Sequence, residues 1–202
     1  MQKLFSTSNS AKDFSKKNSD LFPNAPTKCP FGNCAMPVKL KKHGFYQRFF
    51  ISKGFSGYIY IKRYKCPICG RTVSMLPVFC FTKIQYCAID IMNIFFDAYL
   101  NGASPGAATK RIKAELPANT QSIDRSYIIR YRKKLIQKRA LIQYAVNMIS
   151  PGFTLAGNTP ENQTWFKLLL EQVKKMSSTE EFLLDYWNKT GETLVNSKNM
   201  IA

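Results

Sequence analysis

Two cysteine pairs, Cys29/Cys34 and Cys66/Cys69, are separated by 31 residues that include eight Lys or Arg and no Asp or Glu. A metal that takes four thiolates in a tetrahedron is well served by two close pairs, each forming a tight turn, delivered from distant parts of the chain. Cys66-Pro67-Ile68-Cys69-Gly70 has the composition of such a knuckle. Pro presets φ after the first cysteine, and Gly supplies a left-handed position that turns backbone N–H groups toward the sulfurs. Cys29-Pro30-Phe31-Gly32-Asn33-Cys34 is looser, with four intervening residues, but again contains Pro and Gly. One structural zinc ion held by Cys29, Cys34, Cys66 and Cys69 is the expectation; plain burial or disulfide bonding of these thiols is the alternative. Met1 to Ser19 is polar and rich in Ser and Lys, with no secretory signal, so a reducing, cytoplasmic compartment is expected.

The 31 residues between the pairs are long enough for a β-hairpin. Gly57 to Tyr64 is rich in β-branched and aromatic residues, Phe45 to Ile51 is its partner, and Lys53 to Gly57 is the turn. Alternation puts Tyr58, Tyr60, Lys62 and Tyr64 on one face and Ile59, Ile61 and Arg63 on the other. Cys80 and Cys87 lack a knuckle context and read as core thiols. His43 stands outside a ligand set that four thiolates already close.

Net charge is +18 over 202 residues, and its distribution matters more than its size. Residues 29–80 carry nine basic and no acidic side chains, residues 81–140 eleven and four, and residues 141–202 five and six. A polyanionic partner is implied for the first two thirds of the chain. No apolar run is long enough to span a membrane, since Asp90 and Asp97 interrupt the most hydrophobic stretch, Tyr86 to Leu100.

The periodicity predicts an α+β chain: a small N-terminal zinc ribbon of β-hairpins, an all-α helix-turn-helix and a C-terminal helical hairpin. Residues 1–27 read as a flexible basic arm and 28–80 as the ribbon. Residues 81–150 read as the helix-turn-helix, 151–188 as the helical hairpin and 189–202 as a disordered tail. The first helix carries Ile84, Cys87, Ala88, Ile91, Phe95, Ala98 and Tyr99 on its apolar side and stops at Asn101-Gly102. Ser104 caps the second, which has Pro105 at its first position and ends at Pro117. A tight turn follows, and Thr120 or Ser122 caps the third, with Tyr127, Ile128, Tyr131 and Leu135 inward. Leu141 to Ile149 extends that helix. Thr159-Pro160-Glu161 starts another helix and Ser178 to Glu181 forms a capping box for the last. These two aromatic-rich helices either pack within the chain or mediate self-association or binding of a protein partner.

The third helix has the pattern of a recognition helix. Arg125, Ser126, Ile129, Arg130 and Lys133 lie away from its apolar stripe, where base and phosphate contacts are made. The plain alternative is the solvated basic face of an ordinary bundle. In the ribbon, Lys39, Lys41, Lys42, Arg48, Lys62, Arg63, Lys65 and Arg71 are the candidate phosphate contacts.

From Tyr64 through Cys66-Pro67-Ile68-Cys69-Gly70-Arg71-Thr72 to Leu76-Pro77, the chain resembles the zinc-ribbon region of bacterial insertion-sequence transposases and of related short ribbon-plus-helix-turn-helix proteins. Lys41 to Arg48 resembles the same families, and the resemblance covers about residues 28–140. It implies binding of transposon ends or another duplex DNA site, with the four cysteines as zinc ligands. A catalytic domain is not expected: the acids beyond residue 140, Glu161, Glu171, Glu180, Glu181, Asp185 and Glu192, lie in predicted helices or tail with no strand pattern. The chain therefore reads as a mobile-element-associated DNA-binding protein rather than an enzyme, with no small-molecule substrate and no membrane partner. Two other readings stay open: a module that docks a larger transposase or polymerase, and an RNA binder that stacks unpaired bases on Tyr58, Tyr60 and Tyr64.

Overall fold

A long antiparallel hairpin fixes where the cysteines end up. In the computed structural model, which describes residues 1–118, 123–151, 161–176 and 178–194, strand β2 runs Lys41–Ser52 and β3 runs Phe55–Lys65. Only Lys53 and Gly54 separate them, and Gly54 has the left-handed φ of +69° that so short a turn requires. Two long antiparallel strands bring the start of β2 beside the end of β3. The first cysteine pair precedes β2 and the second follows β3, so strand pairing itself carries the pairs together.

After the second pair the chain enters β4 (Thr72–Pro77), antiparallel to β3 with Tyr64 opposite Val73. The other edge of β4 is taken by β1 (Gln2–Phe5), in parallel, with Leu4 opposite Leu76. The result is one four-stranded sheet, ordered β1-β4-β3-β2. This corrects the reading of residues 1–27 as a flexible arm. Beyond β1, a short 3-10 turn at Asp13–Ser15 buries Phe14 completely, and Phe5, Phe14 and Phe22 pack ring on ring at centroid distances of 5.2–6.3 Å. The Tyr64 hydroxyl donates to the Pro23 carbonyl at 2.7 Å and Lys62 Nζ to the Ser19 carbonyl at 3.2 Å, so this segment lies over the sheet face that Lys62 and Tyr64 share.

Among the described residues six helices follow: α1 (Ala88–Tyr99), α2 (Pro105–Glu115), α3 (Arg125–Gln137), α4 (Arg139–Ile149), α5 (Asn162–Lys175) and α6 (Thr179–Thr190). The first begins later than periodicity suggests, because Cys87 is its N-cap and Ile84 precedes it. Ser104 Oγ accepts from the Ala107 N–H at 3.1 Å and caps α2. The third helix is capped by Asp124, whose carboxylate accepts from the N–H groups of Ser126 and Tyr127. Thr120 and Ser122, the expected caps, lie outside the described residues. Nine residues, 116–124, connect α2 to α3, more than the tight turn expected. Leu141 to Ile149 forms a separate helix, since the chain leaves helical geometry at Lys138 (φ −94°, ψ 13°).

Helices α1, α2 and α3 pack on one another, α6 packs chiefly on α4, and α5 packs on α1. The C-terminal pair thus finds its apolar partners within the chain. Trp165, Phe166, Phe182 and Tyr186 are buried, and Phe166 meets Phe95 and Tyr99 edge-on at 5.3 and 5.1 Å. The start expected at Thr159-Pro160 also lies outside the described residues, as does most of the linker 151–158. Residues 189–194 depart from the expected disordered tail: α6 continues to Thr190, Gly191 ends it with φ +70°, and Thr193 and Leu194 are buried.

The chain divides into two compact units, Met1–Phe50 with Gly57–Val78, and Ile51–Ser56 with Phe79–Ala202. The hairpin tip belongs to the helical unit. There Ile51 bridges Tyr86, Lys53 N–H donates to the Asp90 carboxylate at 3.1 Å, and Lys53 Nζ pairs with Glu115 at 2.7 Å. Burial raises the Asp90 carboxyl above the usual range. Replacing Phe14 by Ala will lower the unfolding free energy of the chain by about 3–5 kcal/mol in a denaturant titration; a change near zero would return the N-terminal segment to a flexible arm.

Candidate metal centre

The two knuckles close in the same way despite their different lengths. In the second, the Cys66 N–H donates to the Arg71 carbonyl at 2.9 Å and the Gly70 N–H to the Cys66 carbonyl at 3.0 Å, with Gly70 left-handed at φ +70°. In the first, the Cys29 N–H donates to the Met36 carbonyl at 3.0 Å, and the N–H groups of Cys34 and Ala35 both donate to Phe31 at 2.8 Å. The left-handed residue is Ala35, at φ +44°, and not Gly32. In each knuckle the second cysteine is followed by a left-handed residue, and the carbonyl after that accepts from the first cysteine. The two extra residues of the first loop leave the bond from the first cysteine's N–H to the carbonyl two residues past the second cysteine in place.

These turns bring four sulfurs within 4.8 Å of one another. Cys29 Sγ lies 3.7 Å from Cys69 Sγ and Cys34 Sγ 3.9 Å from Cys66 Sγ. A tetrahedron with metal–sulfur bonds of about 2.3 Å has edges of about 3.8 Å, so the spacing fits one metal ion bound by four thiolates. Such a set closes the coordination sphere and leaves no position for substrate. No disulfide is present among the described residues, which include all six cysteines.

The thiols differ in their readiness to ionise. The Cys69 N–H and then the Ile68 N–H pull Cys66 down to about 7, against the effect of burial. Burial pushes Cys29 up to about 12. A bound cation opposes that burial cost and favours the thiolate at every sulfur.

Arg71 locks one knuckle to the other. Its guanidinium donates to Asn33 Oδ1 at 2.6 Å and stacks over the Phe31 ring at 4.8 Å, so a residue of the second loop holds two of the first. Sequence reading took Arg71 as a phosphate contact and gave Asn33 and Phe31 no role. Their position inside the first cysteine loop was the available signal.

The other basic candidates of this unit fall into two groups. Lys39, Lys41, Lys42 and Lys65 are exposed, and Arg48 is half-buried in β2. Lys62 is only 6% exposed and its ammonium is held by Ser19 and by the Tyr64 ring, which removes it from the surface set. Arg63 is half-buried over Tyr46. This unit holds thirteen Lys or Arg against Asp13 and Asp20, so most of its cations have no acid within the unit to neutralise them. In the helical unit, Arg125, Ser126, Arg130 and Lys133 are exposed on α3 and Ile129 is half-buried. The Ser126 hydroxyl is already engaged by Asp124 at 2.6 Å. Arg132 and Arg139 instead stack over Tyr99, Phe166 and Trp165. Among the described residues no helix is long and apolar enough to cross a membrane.

One metal ion per chain is the expected content of the purified protein by elemental analysis. Cys66→Ser will abolish it and Cys80→Ser will retain it. Retention will fall as the solution is made acidic, because protons compete for ligands that must be thiolates. Ala35→Gly will raise stability by about 1 kcal/mol in thermal unfolding, since Gly carries no penalty for a left-handed φ. Compared with family models, curated proteins and solved structures, the chain matches none.

Proposed function

We propose that the chain is a DNA-binding protein in which a structural zinc ion holds the ribbon and duplex DNA is gripped by basic side chains of both units. Zinc suits a site of four sulfurs at tetrahedral spacing with no open position. The observation that carries the reading is one-signed charge: thirteen cations against two acids in the ribbon unit, together with Arg125, Arg130 and Lys133 exposed on α3. Lys39, Lys41, Lys42 and Lys65 then serve as phosphate contacts, and α3 acts as the groove-facing helix of a helix-turn-helix-like trio, α1 to α3. The resemblance of Tyr64 to Pro77 to insertion-sequence transposase ribbons makes a mobile-element role, as regulator or transposition accessory in the cytoplasm, the reading within this class. Catalysis is not part of it.

If about six phosphates are neutralised, the logarithm of the duplex association constant will fall against log salt with a slope of roughly −5. Lys133→Ala will weaken binding to all sequences alike and flatten the slope by about 1, whereas Arg130→Ala will do so unequally among sequences if Arg130 reaches a base. A salt-independent affinity would sink the proposal.

A second reading is favoured by α4. Leu141, Tyr144 and Met148, spaced three and four residues apart, are 36%, 59% and 49% exposed, an apolar stripe with no charge in it. Such a face suits a second copy of this chain, and here, not on α5 or α6, lies the surface for self-association. Sedimentation would then show a concentration-dependent mass that Tyr144→Glu abolishes.

A further inference from the structure

We propose that the open face of the β2–β3 hairpin binds unpaired bases of a DNA strand, stacking them on Tyr58 and Tyr60. The side chains of this face identify one another by contact. Gln47 Nε2 donates to the Tyr60 hydroxyl at 3.0 Å, Phe49 meets Tyr58 edge-on at 5.4 Å, and Phe45 meets Tyr60 at 6.4 Å. The N-terminal segment covers one end of the same face: Ser19 holds Lys62, Pro23 holds Tyr64, and Phe22 lies on Phe45 at 5.8 Å. The cover stops there. Tyr64 is 1% exposed, but Tyr58 is 58% exposed and Phe49 and Tyr60 are half-buried. Tyr64, grouped with Tyr58 and Tyr60 by alternation alone, is therefore not part of the platform.

The uncovered part holds aromatic rings and an amide and no aliphatic side chain. Tyr58 and Tyr60 lie about 6.8 Å apart along the strand, which leaves room for one base on each ring. A duplex offers such rings nothing, because its base faces are stacked inside it; an unpaired strand offers a π-face at every nucleotide. A cation borders the platform at its covered end, where Lys17 is exposed with Nζ 5.8 Å from the Phe45 ring centroid. Of the two acids in the unit, Asp13 is tied to Ser10 by two hydrogen bonds of 2.7 Å. Basic charge around exposed rings is the arrangement that tracks a single strand. The site goes beyond the duplex reading, and only its choice of DNA over RNA rests on that reading.

The test uses the full chain with its metal and three labelled probes of ten nucleotides or base pairs: oligo-dT, oligo-rU and a duplex, with anisotropy as the readout. Tyr58→Thr keeps a strand-forming residue but removes the ring, and is expected to weaken oligo-dT binding about tenfold. Tyr58→Phe keeps the ring and is expected to stay within about twofold, since stacking needs the π-face and not the hydroxyl. Neither variant should change duplex affinity, and both should unfold at the wild-type temperature. Unchanged oligo-dT binding in Tyr58→Thr overturns the proposal, as does an equal loss for duplex and oligo-dT. Tighter binding of oligo-rU than of oligo-dT overturns the assignment to DNA. If the duplex does not bind while oligo-dT binding still depends on Tyr58, the duplex reading falls and this site stands.

Discussion

The first unit depends on a convergence that its own side chains resist. Four sulfurs lie within 4.8 Å of one another, two of them on fully buried cysteines, and ionising all four would set four negative charges against each other in a partly dry site. A cation resolves this repulsion, and the free energy of binding it becomes folding free energy. Much of the sheet follows from that junction. The cysteines that could hold this cation precede β2 and follow β3; the second knuckle is also the turn that sends the chain back as β4; and β4 in turn offers the edge on which β1 pairs. Arg71 adds a metal-independent tie between the same two loops through Asn33 and Phe31.

Much of this was legible in the sequence because it is local. Cysteines at short spacing with Pro and Gly between or beside them announce turns, and the alternation of Tyr and Ile in β3 announces a strand. The N-terminal segment was not legible. Its apolar residues, Leu4, Phe5, Phe14 and Phe22, are sparse among Ser, Asn and Lys and follow no period. They pack on one another across eight to seventeen residues and, beyond the segment, meet β4 and Phe45. A segment whose order comes from distant partners looks disordered when only its neighbours are read.

The same limit applies to the surroundings of several basic residues. Alternation correctly put Lys62 on the face of Tyr60 and Tyr64, but no local pattern says that this face is covered from above by residues 14–23. On α3 and α4, Arg132 and Arg139, which had no assigned role, stack over the rings of Tyr99, Phe166 and Trp165, contacts that no local pattern announces. Asp124 was overlooked as a cap because Thr120 and Ser122 are equally good capping residues, and only the start of helical geometry distinguishes them.

The hairpin tip makes the two units topologically inseparable. Because Ile51–Ser56 lies among the helices while both flanking strands belong to the ribbon, the polypeptide crosses the division three times, after Phe50, before Gly57 and after Val78. Neither unit is a contiguous stretch of sequence. A single cut after Val78 carries Ile51–Ser56 of the helical unit away with the complete ribbon unit, so no one boundary divides the chain into two whole units. The helical unit is therefore completed by six residues that a gene fusion at Val78 would assign to the ribbon.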